Sequence, residues 1–180
     1  MIVITKSKLE EYLKKFNIDT DLWGKGRSKT INHLFNEIIR GETELVVDGD
    51  KLVREVSALS IIVRYGDKIL KEDKQVFNDG RTRKRKMTAS VAEKLDKNDK
   101  DLISAVKRGI KEELGFDTED NQITHTRDIT RYRYSESYPS LFTKIVLFGF
   151  KIELNESQYD PNGYIEIQED KKTYFKWVKD

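Results

Sequence analysis

The chain has 180 residues, enough for one ordinary domain with an appendage. Hydrophobic and charged residues each make up 37% and the formal net charge is +2, so bulk charge implies no nucleic-acid or membrane role, and the clustering of apolar residues into runs argues against disorder. There is no cysteine, which excludes disulfides, thiolate metal sites and a cysteine nucleophile, and no apolar run approaches the length of about 18 residues that a membrane span needs. No signal-peptide apolar run follows Met1, so the expectation is a soluble cytoplasmic protein.

Residues 7–16 carry Leu9, Tyr12, Leu13 and Phe16 at helical spacing, with Ser7 able to cap. After the loop Trp23-Gly-Lys-Gly26, Ser28 opens a second helix whose face is Ile31, Leu34, Phe35, Ile38 and Ile39, and Gly41 ends it. These two helices form an N-terminal extension over residues 1–42. From Glu44 the period becomes strand-like, and Leu45-Val-Val47 running into Asp48-Gly49 signals a hairpin. Strands are expected over 52–64, 68–77, 87–95, 124–134, 142–154 and 173–178, with turns at Tyr65-Gly-Asp67, Asp79-Gly80 and Asp160-Pro-Asn-Gly163. Residues 43–180 therefore read as an α+β domain, a mixed or antiparallel sheet with helices packed on it.

Residues 101–114 make a helix in which Leu102, Val106, Gly109, Ile110 and Leu114 share the buried side, and Gly115 supplies the left-handed stop. Arg108 stands four residues before Glu112, so their side chains can meet. Adjacent carboxylates at Glu112 and Glu113 suit a hard cation such as Mg²⁺, which takes oxygen ligands and keeps part of its water shell. An ordinary solvated helix face also presents such pairs.

The run Arg108-Gly-Ile-Lys-Glu-Glu-Leu-Gly-Phe116 resembles the second half of the Nudix box, through Arg108, Ile110, Glu112, Glu113, Gly115 and Phe116. Ser90-Val-Ala-Glu-Lys-Leu95, Ser137-Tyr-Pro-Ser-Leu141 and Tyr174-Phe-Lys-Trp177 look like segments of a Nudix-like subgroup, so the likeness runs from about Leu52 to the C-terminus. The resemblance implies a Nudix-like α/β/α sandwich with a mixed sheet, and helix carboxylates that hold divalent cations against a diphosphate. On it, Arg108, Glu112 and Glu113 are the candidate catalytic residues, and Glu112 and Glu113 the candidate Mg²⁺ ligands. The chain departs from the box in three places. Gly109 stands where the family has a glutamate; the family's glycine and first glutamate fall on Lys94 and Lys100, unless a short gap brings in Asp96 or Asp99. Fewer anionic oxygens weaken a Mg²⁺ site and a lysine repels the ion. A loop carboxylate is then needed, and Glu136 is the candidate.

Arg81-Thr-Arg-Lys-Arg-Lys86 puts five cations in six residues. As a strand its Arg81, Arg83 and Arg85 share one face, either for phosphate contact or as a charged edge that resists aggregation. Arg127, Arg131 and Arg133 alternate with Ile129, Tyr132 and Tyr134, a pattern suited to holding a phosphate and stacking on a base, or to plain strand alternation. His33 and His125 have no ligand spacing. Two functions compete. One is a Nudix-fold module recognising a nucleoside diphosphate-type ligand with hydrolysis weak or lost. The other is a divergent Mg²⁺-dependent hydrolase of such a diphosphate. A protein-interaction scaffold using the N-terminal helices is a third.

Overall fold

The computed structural model describes residues 5–96 and 98–180. The segment at Met1, where no signal-peptide run is read, lies outside the described residues, as does Lys97 in the polar loop. The elements in chain order are α1 (Lys6–Lys15), α2 (Ile31–Arg40), β1 (Glu44–Asp48), β2 (Lys51–Tyr65), β3 (Lys68–Phe77), β4 (Thr82–Arg83), β5 (Val91–Lys94), α3 (Leu102–Leu114), β6 (Ile123–Tyr134), β7 (Phe142–Glu153), β8 (Tyr164–Ile167) and β9 (Lys171–Lys179). The hydrogen-bonded strand order is β6-β7-β2-β3-β9-β8, with β1 and β5 on β2 and β4 on β3. Leu154 N–H donates to the Arg64 carbonyl at 2.8 Å and Lys144 meets Glu55 at 2.9 Å, so β2 and β7 run in the same direction. The pairs β1–β2, β2–β3, β3–β4, β3–β9 and β8–β9 are antiparallel. The fold is therefore α+β with a mixed sheet and three α-helices, as expected. No helix among the described residues is long and apolar enough to cross a membrane.

The contacts gather into two compact units. One holds residues 5–58, 94–96, 98 and 129–147. Its core is Leu9 and Leu13 of α1, Leu34 of α2, Trp23, Leu52, Tyr138 and Leu141. Both helices start one or more residues away from the expected caps: Thr5, not Ser7, caps α1, and Thr30, not Ser28, caps α2 through the His33 amide. Ile39 is half exposed, and its place on the inner side of α2 is taken by Glu37. That carboxylate is buried because three cations meet it: Lys29 at 2.6 Å, Arg54 at 2.8 Å and Lys94 at 3.0 Å. Burial alone would raise its pKa; Lys29, Lys94 and Arg54 outweigh it and lower the group to about 2. A helix period that reads only apolar residues misses such a site.

The other unit holds residues 59–93, 99–128 and 148–180. Here α3 buries Ala105, Val106, Gly109, Ile110 and Leu114, and Gly115 closes the helix at φ 82°. Asp101 caps it, accepting from the Ser104 amide at 2.8 Å. The basic run is not a continuous strand, since only Thr82 and Arg83 pair with β3. The expected strand over 87–95 shortens to β5, and Ser90 just before it turns its hydroxyl inward. That hydroxyl accepts from the Val63 amide at 2.9 Å and donates to the Leu70 carbonyl at 2.6 Å. The strand β8 was not expected from the sequence.

Candidate functional site

The α3 face is built around Arg108. The helix puts Glu112 one turn further on, and Arg108 donates to it at 3.0 Å, as the four-residue spacing predicts. The stronger partner comes from the loop before the helix. Arg108 Nε and one terminal nitrogen donate to the two oxygens of Asp99 at 3.0 and 3.1 Å, a forked pair. Asp99 is mostly buried by this arrangement, whereas Glu112 is 57% exposed. The loop acid that meets Arg108 is therefore Asp99. Asp99 first, then Glu112 and Glu93, hold the Arg108 guanidinium well above its usual pKa.

Gly109 leaves the backbone of α3 bare on this side. A side chain there would start 3.4 Å from both Cβ and Cγ of Glu93, so Glu93 of β5 lies over the bare helix backbone. The Glu93 carboxylate reaches Arg108 at 3.5 Å. Burial raises its pKa, with Arg108 opposing and Glu112 and Asp99 adding to the rise. Sequence reasoning passed over Glu93, although it lies within the segment 90–95 already singled out.

Glu113 differs from its neighbour. Its carboxylate is half-buried and makes no hydrogen bond or ion pair among the described residues. Burial raises its pKa to about 8, with Glu166 of β8, Glu93 and Glu72 of β3 adding negative potential and Arg85 opposing. Burial likewise raises Glu166. The nearly inaccessible Glu72 carboxylate is neutralised by Arg85, whose Nε donates to it at 2.9 Å. The structure therefore brings Arg108, Glu112, Glu113 and Arg85 onto one surface, together with Asp99, Glu93, Glu72 and Glu166. These last four come from separate elements, so no local spacing announces them. Even so, among the described residues no group of three or more acids and histidines is disposed to hold a metal ion.

Of the basic run, Arg81 and Arg83 stay together while Arg85 departs from the expected alternation. Arg81 pairs with Asp79 at 2.6 Å and Arg83 donates to Gln75 at 2.9 Å, both guanidiniums lying over the Phe77 ring. Irregular backbone after Arg83 lets Arg85 turn instead to Glu72. Arg131 and Arg133 belong to the other compact unit. There Arg133 pairs with Glu136 at 3.2 Å and both are exposed. Tyr132 and Tyr134 lie 6.3 and 5.4 Å from Phe142 and are exposed.

No known family's sequence pattern matches the chain, and no curated protein matches it. Solved structures do resemble it. A mutator MutT protein from Bacillus halodurans shares 18% identity over 68% of this chain and 67% of its own, with a TM-score of 0.37. A C. elegans Ap4A hydrolase in a binary complex shares 12% over 68% and 79%, with a TM-score of 0.39. A MutT/nudix family protein from Enterococcus faecalis shares 13% over 98% of this chain and 56% of its own, with a TM-score of 0.46.

Proposed function

We propose that the α3 surface recognises a nucleoside diphosphate-type ligand through its diphosphate, taken up with a divalent cation, and that hydrolysis is weak or lost. The observation that carries this is Glu113, a carboxylate without a hydrogen-bond or ion-pair partner among the described residues, kept among other acids with its pKa raised to about 8. Such a group gains most when a cation arrives. A closed all-protein cage for Mg²⁺ does not fit the side chains, because Arg108 holds Glu112 and, among the described residues, no three acids or histidines are disposed around one ion. A site of one or two carboxylates completed by phosphate oxygens and water does fit, and Mg²⁺ is commonly held that way. Glu113 and Glu112 would hold it, with Glu93 in place of the carboxylate missing at Gly109. A bound cation would neutralise the diphosphate and polarise its phosphorus–oxygen bonds.

The chain's own residues do the rest. Arg108 orients Glu112 through the Asp99 fork. Arg85 offers positive charge beside Glu113 for a phosphate oxygen. Arg81 and Arg83 are proposed as further phosphate contacts. The hydrolase reading stands second, supported by the same Glu113, since a carboxylate titrating near neutrality suits removal of a proton from water.

Thermal unfolding with Mg²⁺ alone, ADP-ribose alone and both together tests the proposal. Stabilisation by the pair should exceed the sum of the separate effects and disappear in Glu113→Gln. No such effect across dinucleotides, nucleotide sugars and ADP-ribose would refute ligand recognition. Monophosphate release abolished by Glu113→Gln would favour the hydrolase.

A further inference from the structure

The strand β8 ends the hydrogen-bonded path and pairs with β9. Across their hairpin the Gln168 amide donates to the Lys171 carbonyl at 2.9 Å. Antiparallel alternation then makes Glu166–Thr173 and Tyr164–Phe175 hydrogen-bonded pairs, and turns the N–H and C=O of Ile165 and Ile167 away from β9. The same two residues carry exposed side chains, at 55% and 74%. Sheet edges usually guard such positions with charge, proline or a bulge. Here the one charge of the strand, Glu166, is among the acids that act on Glu113, on the opposite side from the isoleucines.

The register defines what stands beside the isoleucines. Tyr174 faces Ile165 and Lys172 faces Ile167, and on β3 Lys74 and Val76 continue the rows. Lys176 and Lys71 form the next row. Asp73 is taken by Lys176 at 2.6 Å, which lowers its pKa, with Lys84 and Lys74 nearby, while Glu169 and Asp170 stand in the β8–β9 turn beyond Ile167. The strip is thus apolar at its edge and basic behind it.

We propose that the β8 edge and this lysine strip bind an extended acidic peptide of another protein, added as a strand along Ile165 and Ile167. Backbone pairing supplies the affinity of such complexes and alternate side chains the specificity. The strip's charge selects acids over bases in the partner. A second copy of this chain would set lysines against lysines. Single-stranded nucleic acid would need open aromatic faces, and Lys74 already lies 5.3 Å over the Tyr174 ring.

The test is fluorescence anisotropy of a labelled, capped heptapeptide, Glu-Thr-Val-Thr-Val-Thr-Glu, which places valines and acids on one face and threonines on the other. Its lysine counterpart, with Lys for each Glu, should bind at least about tenfold more weakly. Ile167→Pro removes an N–H that points away from β9, so the hairpin bonds survive, and peptide binding should fall by about tenfold or more. Ile165→Lys/Ile167→Lys should do the same with an unchanged unfolding temperature, and Lys172→Glu/Lys176→Glu should reverse the preference between the two peptides. The proposal is overturned by absent binding to wild type, by equal binding of the lysine peptide, or by binding that survives Ile165→Lys/Ile167→Lys. It is also overturned if oligouridine displaces the peptide more strongly than the unlabelled peptide does, or if those isoleucines instead control self-association of the chain.

Discussion

Replacing Glu113 by glutamine should stabilise the metal-free protein, and only above acidic pH. The folded pKa of about 8 lies above the ordinary 4.5, so the folded state binds the proton more tightly than the unfolded one. Stability from this group is fully present below about pH 4.5 and is lost as pH rises towards 8. At pH 7.5 the offset corresponds to an upper bound of about 4 kcal/mol, at 1.36 kcal/mol per unit. Partial solvent access and sharing of protons with Glu166, Glu93 and Glu72 reduce this to about 1–3 kcal/mol. For a chain of this length each kcal/mol moves Tm by about 2–4 °C, so Glu113→Gln should melt roughly 2–12 °C higher. The assay is differential scanning calorimetry with a chelator present, at pH 4.5 and 7.5. A glutamine variant that melts with wild type at pH 7.5, or gains as much at pH 4.5, would refute the raised carboxyl.

Glu37→Gln works in the opposite sense. The folded pKa of about 2 lies below 4.5, so its stabilisation is present above pH 4.5 and lost as pH falls through about 2; the 2.5-unit offset is worth about 3 kcal/mol. At pH 7 the variant should lose about 3–5 kcal/mol in urea unfolding, because Arg54 stays buried without its anion. An unaffected variant would mean the knot is not formed. Gly109→Ala should be tolerated and stabilise by about 0.5–1 kcal/mol, since its Cβ makes ordinary contact with Glu93 and alanine favours the helix; a lower Tm would show that the approach is tighter. Asp99→Asn should cost about 1–3 kcal/mol and diminish stabilisation by Mg²⁺ with ADP-ribose, because Arg108 loses its fork; unfolding and ligand response that match wild type would contradict that role.

Much of α3 was legible before folding. The apolar period, the glycine stop at Gly115 and the meeting of Arg108 with Glu112 all lie within one helix, where neighbours at three and four residues are set by helix geometry alone. The hairpin turns at Gly49 and Gly66 were legible for the same local reason, both adopting positive φ. The four residues of β8 were too short for a period to show, and they hold as a strand because β9 pairs with them. Asp99, Glu93, Glu72 and Glu166 surround Arg108 and Glu113 from a loop and three strands, so only sheet register and helix packing could bring them there. The same holds for Glu37, whose helix gives no sign that Lys29, Arg54 and Lys94 will close on it. Local order follows from backbone geometry repeated every few residues; charge neighbourhoods follow from contacts between distant segments, which only the packed chain decides.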